Sequence, residues 1–347
     1  MNSTLTAPPR PATPDPIAPV SGTTEMLSGD DAGIARAAAL LRAGACVALP
    51  TETVYGLAAD ATDARAVAGI YEAKGRPRFN PLIAHCADLD SACREGVFDA
   101  HARRLAQAFW PGPLTLVVPL AGTARVSELA RAGLPSIALR VPDHPVATAL
   151  LRAVDRPLAA PSANPSGRIS PTEAVHVARD MEGRIAAILD GGATRIGLES
   201  TIVACLGGVP RLLRPGGVSR EAIEAVLGLA LADDSSASDA PSAPLAPGML
   251  TSHYAPRARV RLDAQAIEPG EAALLFGSVS PHGMQNAVAV RNLSENGDLR
   301  EAAANLFGAM RALDETGAAG IAVAPVPEHG LGEAITDRLR RAAADRG

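Results

Sequence analysis

Cys46-Val47-Ala48-Leu49-Pro50-Thr51-Glu52-Thr53-Val54-Tyr55-Gly56-Leu57 sets the architecture of the chain. Four apolar residues run into a proline, the pattern of a short buried strand that stops. The continuation carries hydroxyls at alternate positions, so a turn here can present donors to one face. Upstream, Ser28, Asp30 and Asp31 precede an Ala/Leu-rich run at 33–42 that closes at Gly44, a capped helix. A helix feeding a buried strand and then a polar turn is the building unit of an α/β fold.

The unit recurs outward from this stretch. Helical periodicity covers 62–72, with Val67, Ile70 and Tyr71 as its apolar positions, and returns at 99–109 and 172–182. Short apolar runs at 82–85, 114–118, 137–141, 185–189, 201–206 and 211–213 read as strands. Several strands follow one another with no helix between, which favours a twisted mixed sheet over a purely parallel one. Residues 231–247 are rich in Ala, Ser, Asp and Pro and read as a linker. The α/β pattern then restarts, with strands at 259–262, 272–276, 287–290 and 320–324 and helices at 298–314 and 331–344. The expected organisation is a disordered tail at 1–24, a first domain at 25–230, a linker at 231–257 and a small α/β domain at 258–347.

Composition limits the function classes. The 347 residues carry a net charge of −5, which argues against coating nucleic acid by charge alone. Aromatics are only 3% of the chain, so the core must be aliphatic. The four cysteines, Cys46, Cys86, Cys93 and Cys205, form no CxxC pair, and a disulfide framework or a zinc site is not expected. No apolar run approaches the roughly 18 residues of a membrane span. The Pro/Thr/Ala-rich start lacks a signal-peptide core. A reducing cytoplasm is the expected location.

Gly, Pro, Ser, Thr and Arg concentrate at strand ends, where α/β folds collect ligands. Lys74-Gly75-Arg76-Pro77-Arg78-Phe79-Asn80-Pro81-Leu82 places three cations in a loop stiffened by two prolines, a phosphate-binding chemistry that a solvated basic turn has no need of. His85 follows on the strand, where a lone histidine is more often a satisfied residue than a ligand. Trp110-Pro111-Gly112-Pro113 reads as a structural turn. The stretch 159–172, Ala-Ala-Pro-Ser-Ala-Asn-Pro-Ser-Gly-Arg-Ile-Ser-Pro-Thr, permits close backbone approach to a ligand, and Thr172 can cap the helix that follows. It contains no nucleophile elbow. Gly197-Leu198-Glu199-Ser200-Thr201-Ile202 and Leu213-Arg214-Pro215-Gly216 repeat the theme. Arg140, inside the apolar run 137–141, needs a partner: a bound anion, or more simply an internal Asp or Glu. The residues alone point to a pocket for a phosphorylated small molecule. No Walker A loop, GxGxxG fingerprint or metal-ligand cluster is present.

Taken together and in order, 50–57, 74–82, 110–115, 160–167, 197–202 and 213–216 resemble the threonylcarbamoyl-AMP synthase family with its YrdC-like fold. Pro247-Gly248-Met249 and His253-Tyr254-Ala255-Pro256 resemble the junction to the small, Rossmann-like C-terminal domain of the longer family form. The resemblance implies an enzyme that condenses L-threonine, bicarbonate and ATP to threonylcarbamoyl-AMP and pyrophosphate, for the threonylcarbamoyladenosine of tRNA. It implies a threonine pocket of Thr53, His85, Arg140, Ala160 and Ser200. ATP would be contacted by Arg76, Asn80, Ser136, Ser162, Ser170, Arg214 and Tyr254, with Lys74 and Arg76 central to catalysis and Mg²⁺ carried with the triphosphate. A separate threonylcarbamoyl transferase complex would consume the product. Residues 250–252 lack the basic residues of some members, which bears on how the linker closes. Competing readings are a YrdC-like RNA-binding or regulatory module without synthase activity, and a carbamoyl-type transferase acting on another substrate.

Overall fold

Aspartates begin most of the helices. Asp30 accepts the Gly33 N–H ahead of α1 (Asp31–Arg42), Asp63 that of Arg65 ahead of α2 (Ala64–Lys74), and Asp99 that of Ala102 ahead of α4 (Ala100–Phe109). Between α2 and α4 lies α3 (Leu89–Glu95), capped by Asp88. The computed structural model describes residues 22–77, 80–233, 245–246, 253–278 and 280–344. Arg78, Phe79, the junction residues 247–252 and nearly all of the expected tail lie outside the described residues. Among those described, no helix is long and apolar enough to cross a membrane.

Eleven strands form one mixed sheet. They are β1 (Glu25–Ser28), β2 (Val47–Leu49), β3 (Gly56–Asp60), β4 (Ile83–His85), β5 (Leu114–Pro119), β6 (Ser136–Arg140), β7 (Leu158–Ala159), β8 (Ala187–Asp190), β9 (Thr201–Ala204), β10 (Arg211–Arg214) and β11 (Ala232–Asp233). Their order is β1-β8-β2-β3-β7-β4-β6-β5-β9-β10-β11. Parallel pairs such as β4–β6 and β5–β9 alternate with antiparallel ones such as β5–β6 and β2–β3, the mixed sheet expected from directly consecutive strands. The helices α5 (Pro145–Val154), α6 (Ala174–Met181) and α7 (Arg220–Leu227) complete this unit.

The period of two along the central strands separates two faces. Leu114, Leu116, Val118, Ile137, Leu139, Ala84 and Val203 face the main core, against Tyr71, Leu105 and Ile223. Ile83, Val117, Ala138, Ile202, Ala204 and Leu213 form a second, smaller apolar floor. His85 shares the face of Ile83 by this alternation, and Ser136 and Arg140 share that of Ala138. Leu245 and Ala246 pack on this floor, and Ala246 is fully buried. The segment read as a plain linker thus supplies an apolar contact, and its start forms edge strand β11 beside β10.

The second domain is a four-stranded, all-parallel sheet of β12 (Arg259–Arg261), β13 (Glu271–Leu275), β14 (Val290–Asn292) and β15 (Gly320–Val323), in the order β12-β15-β13-β14. Helices α8 (Leu299–Asp314) and α9 (Leu331–Ala343) cover one face. Their core continues into the first domain through Val54, Ile169 and Leu198.

Some local expectations shift. Thr172 does not cap α6; the N-cap is Glu173, with no side-chain cap bond, and the Thr172 backbone N–H and hydroxyl lie instead 3.3 and 3.4 Å from His176 Nδ1. The proposed tail is tied down at its end, where Thr24 Oγ1 donates to the Ile185 carbonyl. The turn after Pro50 yields β3 at Gly56, because Gly56-Leu57-Ala58-Ala59 pairs with β2 and β7 and is wholly buried. Trp110 has the structural place expected of it, its indole N–H donating to Leu114 O at 2.7 Å and its ring edge-on to Phe98.

Candidate active site

Three strand ends and five connecting segments converge on one small cavity of about 50 Å³. Thr53, Arg76, His85, Arg140, Ala160, Ser162, Ser200, Arg214 and Tyr254, all expected site residues, line it. Register explains part of this gathering. In the parallel β4–β6 pair His85 lies opposite Arg140, and Ala84 of β4 lies opposite Ala159 of β7, one residue before Ala160.

The remaining expected residues stand around the cavity rather than in its lining. Lys74 is buried behind it, its amine donating to the carbonyls of Ser162 (2.6 Å) and Asn164. Burial, and then the charge of Arg76, pulls its pKa well below the usual lysine value. Lys74 therefore braces the serine-rich loop. Asn80 is buried with its Oδ1 lacking a partner. Ser170 donates to Glu199 at 2.6 Å. Ser136 opens β6, about 13 Å from Arg140 at its other end for a strand of this rise. Both belong to one face, with the apolar floor beside them.

The cavity concentrates positive charge. Arg76 has only carbonyl partners among the described residues, those of Asn80 and of Pro81 at 3.1 Å. Burial lowers its pKa to about 10, still cationic at neutral pH. Arg214 donates to the Ser200 carbonyl at 2.8 Å. Arg140 approaches Glu52 at 2.7 Å, so the internal acid is its partner. That pair is not aligned for a hydrogen bond, and both Glu52 oxygens and Arg140 Nη2 lack one. His85 Nδ1 and His253 Nδ1 are also buried without partners. Burial drives both histidines down to about 3, helped at His85 by the charge of Arg140, so both are neutral at pH 7.

Three residues of the site were not singled out from the sequence. Glu52 sits within the 50–57 motif, where an acid between two threonines was the available signal. Glu199 lines the cavity and is held ionised against its burial by Arg338 and Arg214. Arg338 itself comes from α9, some 140 positions away, and no local pattern marks it.

Tyr254 enters the cavity from the junction between domains, at φ 61°. Its ring stacks on Phe307 of α8 at 5.5 Å, and the Arg338 guanidinium lies 5.1 Å from its centre. A concave pocket into which a few polar and charged groups converge is the usual form of a small-molecule site. The family model described as Telomere recombination matches residues 39–216, and that of the threonylcarbamoyl-AMP synthase C-terminal domain matches 218–344. The threonylcarbamoyl-AMP synthase of Bacillus subtilis is 44% identical, covering 93% of this chain and 96% of its own. That of Pyrococcus abyssi is 43% identical over 89% and 94%. The crystal structure of P. abyssi Sua5 complexed with L-threonine superposes with a TM-score of 0.82 at 40% identity, covering 92% of this chain and 97% of its own. Escherichia coli YciO, 23% identical with a TM-score of 0.50, shares the fold alone. The chain belongs to the threonylcarbamoyl-AMP synthase family, and it is an enzyme of the two-domain form.

Proposed function

We propose that the chain condenses L-threonine, bicarbonate and ATP to L-threonylcarbamoyl-AMP and pyrophosphate, an intermediate that a separate transferase passes to tRNA. One observation carries this reading: buried polar atoms at Glu52, Asn80, His85 and Arg140 make no hydrogen bond, and these residues lie in or next to the cationic cavity. Native interiors leave few such atoms, so a polar ligand is their natural complement. The L-threonine complexed with P. abyssi Sua5 supports an amino acid as one such ligand.

In this reading Arg140 takes the threonine carboxylate, Glu52 lies within reach of its ammonium, and Thr53, His85, Ala160 and Ser200 shape the pocket. The nucleotide extends from the cavity toward Asn80 and Ser136, which requires Leu245 and Ala246 to give way on the apolar floor they cover. Arg76, Arg214 and Ser162 hold the phosphates, and Lys74 and Ser170 act from behind the lining. Threonine nitrogen takes up the carbon of bicarbonate as a carbamate, with loss of water. A carbamate oxygen attacks the α-phosphorus, and the bond to the bridging oxygen breaks to release pyrophosphate. Fixed cations stabilise the growing charge, as positioning and electrostatics do in phosphoryl transfer generally. Among the described residues no three His, Cys, Asp or Glu side chains group as a metal cage, so Mg²⁺ would ride on the phosphate oxygens.

The purified chain should release pyrophosphate from ATP only when threonine and bicarbonate are both present. Release independent of threonine overturns the reading. Arg76→Ala should lower kcat/KM about 10²-fold with the fold retained by circular dichroism.

A further inference from the structure

We propose that Arg338, a residue of the second domain, is a positioning residue of the catalytic site: it holds Tyr254 in the cavity and fixes Glu199 beside Ser200. The inference rests on the reading that Tyr254 contacts the nucleotide. Arg338 is fully buried, and a charge in that position is costly without partners. Each of its partners but one belongs to a segment of the site. Nε donates to Glu199 at 2.9 Å, Nη2 donates to the carbonyl of Pro215, next to Arg214, at 2.9 Å, and the guanidinium lies 5.1 Å from the Tyr254 ring centre. Only Nη1 turns back to its own helix, to Asp337 at 2.5 Å. One planar group therefore touches three cavity-forming segments at once, which the point charge of a lysine cannot do.

Joining the domains does not require this residue. Arg220 meets Glu333 at 2.8 Å, and Arg311 meets Asp180 at 2.6 Å and donates to the Ile169 carbonyl. The apolar seam of Leu198, Leu306 and Phe307 adds to them. These contacts remain when Arg338 is replaced. What is lost is the fixed position of Glu199, which holds the Ser170 hydroxyl at 2.6 Å, and the hold on one face of Tyr254.

The test compares Arg338→Met, Tyr254→Leu and the double variant in the full-length chain, by initial rates of threonine-dependent pyrophosphate release against ATP. Arg338→Met is expected to raise KM for ATP about tenfold with KM for threonine nearly unchanged. The effect should shrink in the Tyr254→Leu background, because one of its two routes runs through that ring and the other through Glu199. Hydrogen exchange gives the independent readout. The Ala255 amide, bonded to Gly167 O at 2.8 Å, should exchange faster in Arg338→Met while β13 and β15 keep their protection. An unchanged KM for ATP, an equal rise in both backgrounds, or faster exchange spread through β13 and β15 overturns the proposal. Should Arg338→Met fail to fold, Arg338→Lys carries the same tests, since it keeps a charge for Glu199 but cannot also reach Pro215 and the ring. If the wild type releases no threonine-dependent pyrophosphate, the reading of function fails, and the exchange measurement alone still decides whether Arg338 holds Tyr254.

Discussion

Arg140 and Glu52 are almost wholly excluded from water, and among the described residues each is the other's ion-pair partner. Removing one member of a buried pair strands the other, at a typical cost of about 3–5 kcal/mol. Arg140→Met should therefore destabilise the chain by that amount in urea unfolding, and L-threonine should no longer raise its melting temperature. A variant as stable as the wild type would show that the ion pair adds no net stability. His85 and His253 supply the acid response. Folded, both are held neutral, with pKa values moved from 6.5 to about 3 by burial first. Unfolded, each takes a proton near its ordinary value, so the stability they confer is complete above pH 6.5 and is lost as pH falls toward 3. Two such protons give a slope of about 2–3 kcal/mol per pH unit near pH 4–5. His253→Gln should lower the measured slope by about 1.4 kcal/mol per pH unit, one proton's share, and an unchanged slope would place the uptake elsewhere. At this scale the sequence was uneven. Arg140 announced its need for a partner because an arginine in an apolar run is conspicuous. Glu52, Glu199 and Arg338 did not, because an acid in a turn and an arginine on a polar helix are ordinary until the fold buries them.

Elements were legible where capping and periodicity agreed. The helix at 99–109 and its Asp99 cap, and the long helix ending at Asp314, follow from local signals. Strands β1, β3 and β7, and helices α3, α5 and α7, were not read out. Strands of two to five residues carry little periodicity, and pairing within the sheet decides them. The loop 197–202 illustrates a constraint that only packing reveals. Gly197 has φ 74°, and a Cβ there would stand 2.5 Å from the carbonyl oxygens of Ala303 and Ala304 in α8. Gly197→Ala would force α8 away from the loop that carries Glu199 and Ser200. The expected result is a loss of about 1–3 kcal/mol, with activity falling more than the folded fraction does. Equal melting temperatures for variant and wild type would mean that the helix yields freely.

On the scale of the whole molecule, the second domain completes the site as well as covering it. Val54, Ile169 and Leu198 bury their apolar surface against it, and Phe307 and Arg338 grip Tyr254 from its two helices. A fragment ending at residue 233 should lose most activity and self-associate, since that seam becomes an exposed apolar patch. Light scattering and pyrophosphate release would check this, and a monomeric, fully active fragment would contradict it. The mixed sheet and the second α/β unit were legible from composition and alternation. How the two fit together was not, because the contacts join residues more than a hundred positions apart. The cation-lined cavity was anticipated as chemistry, while the support that α8 and α9 give to Tyr254 and Glu199 in its lining comes from tertiary packing alone. The chain's single tryptophan gains a use from this arrangement. Trp110 lies two residues before Gly112, whose carbonyl accepts Arg140 Nε at 3.3 Å. An intrinsic optical reporter thereby sits close in sequence to the carbonyl that Arg140 contacts, and a change in the colour of its emission on adding L-threonine is the expected sign of occupancy, read without dye, label or coupled enzyme.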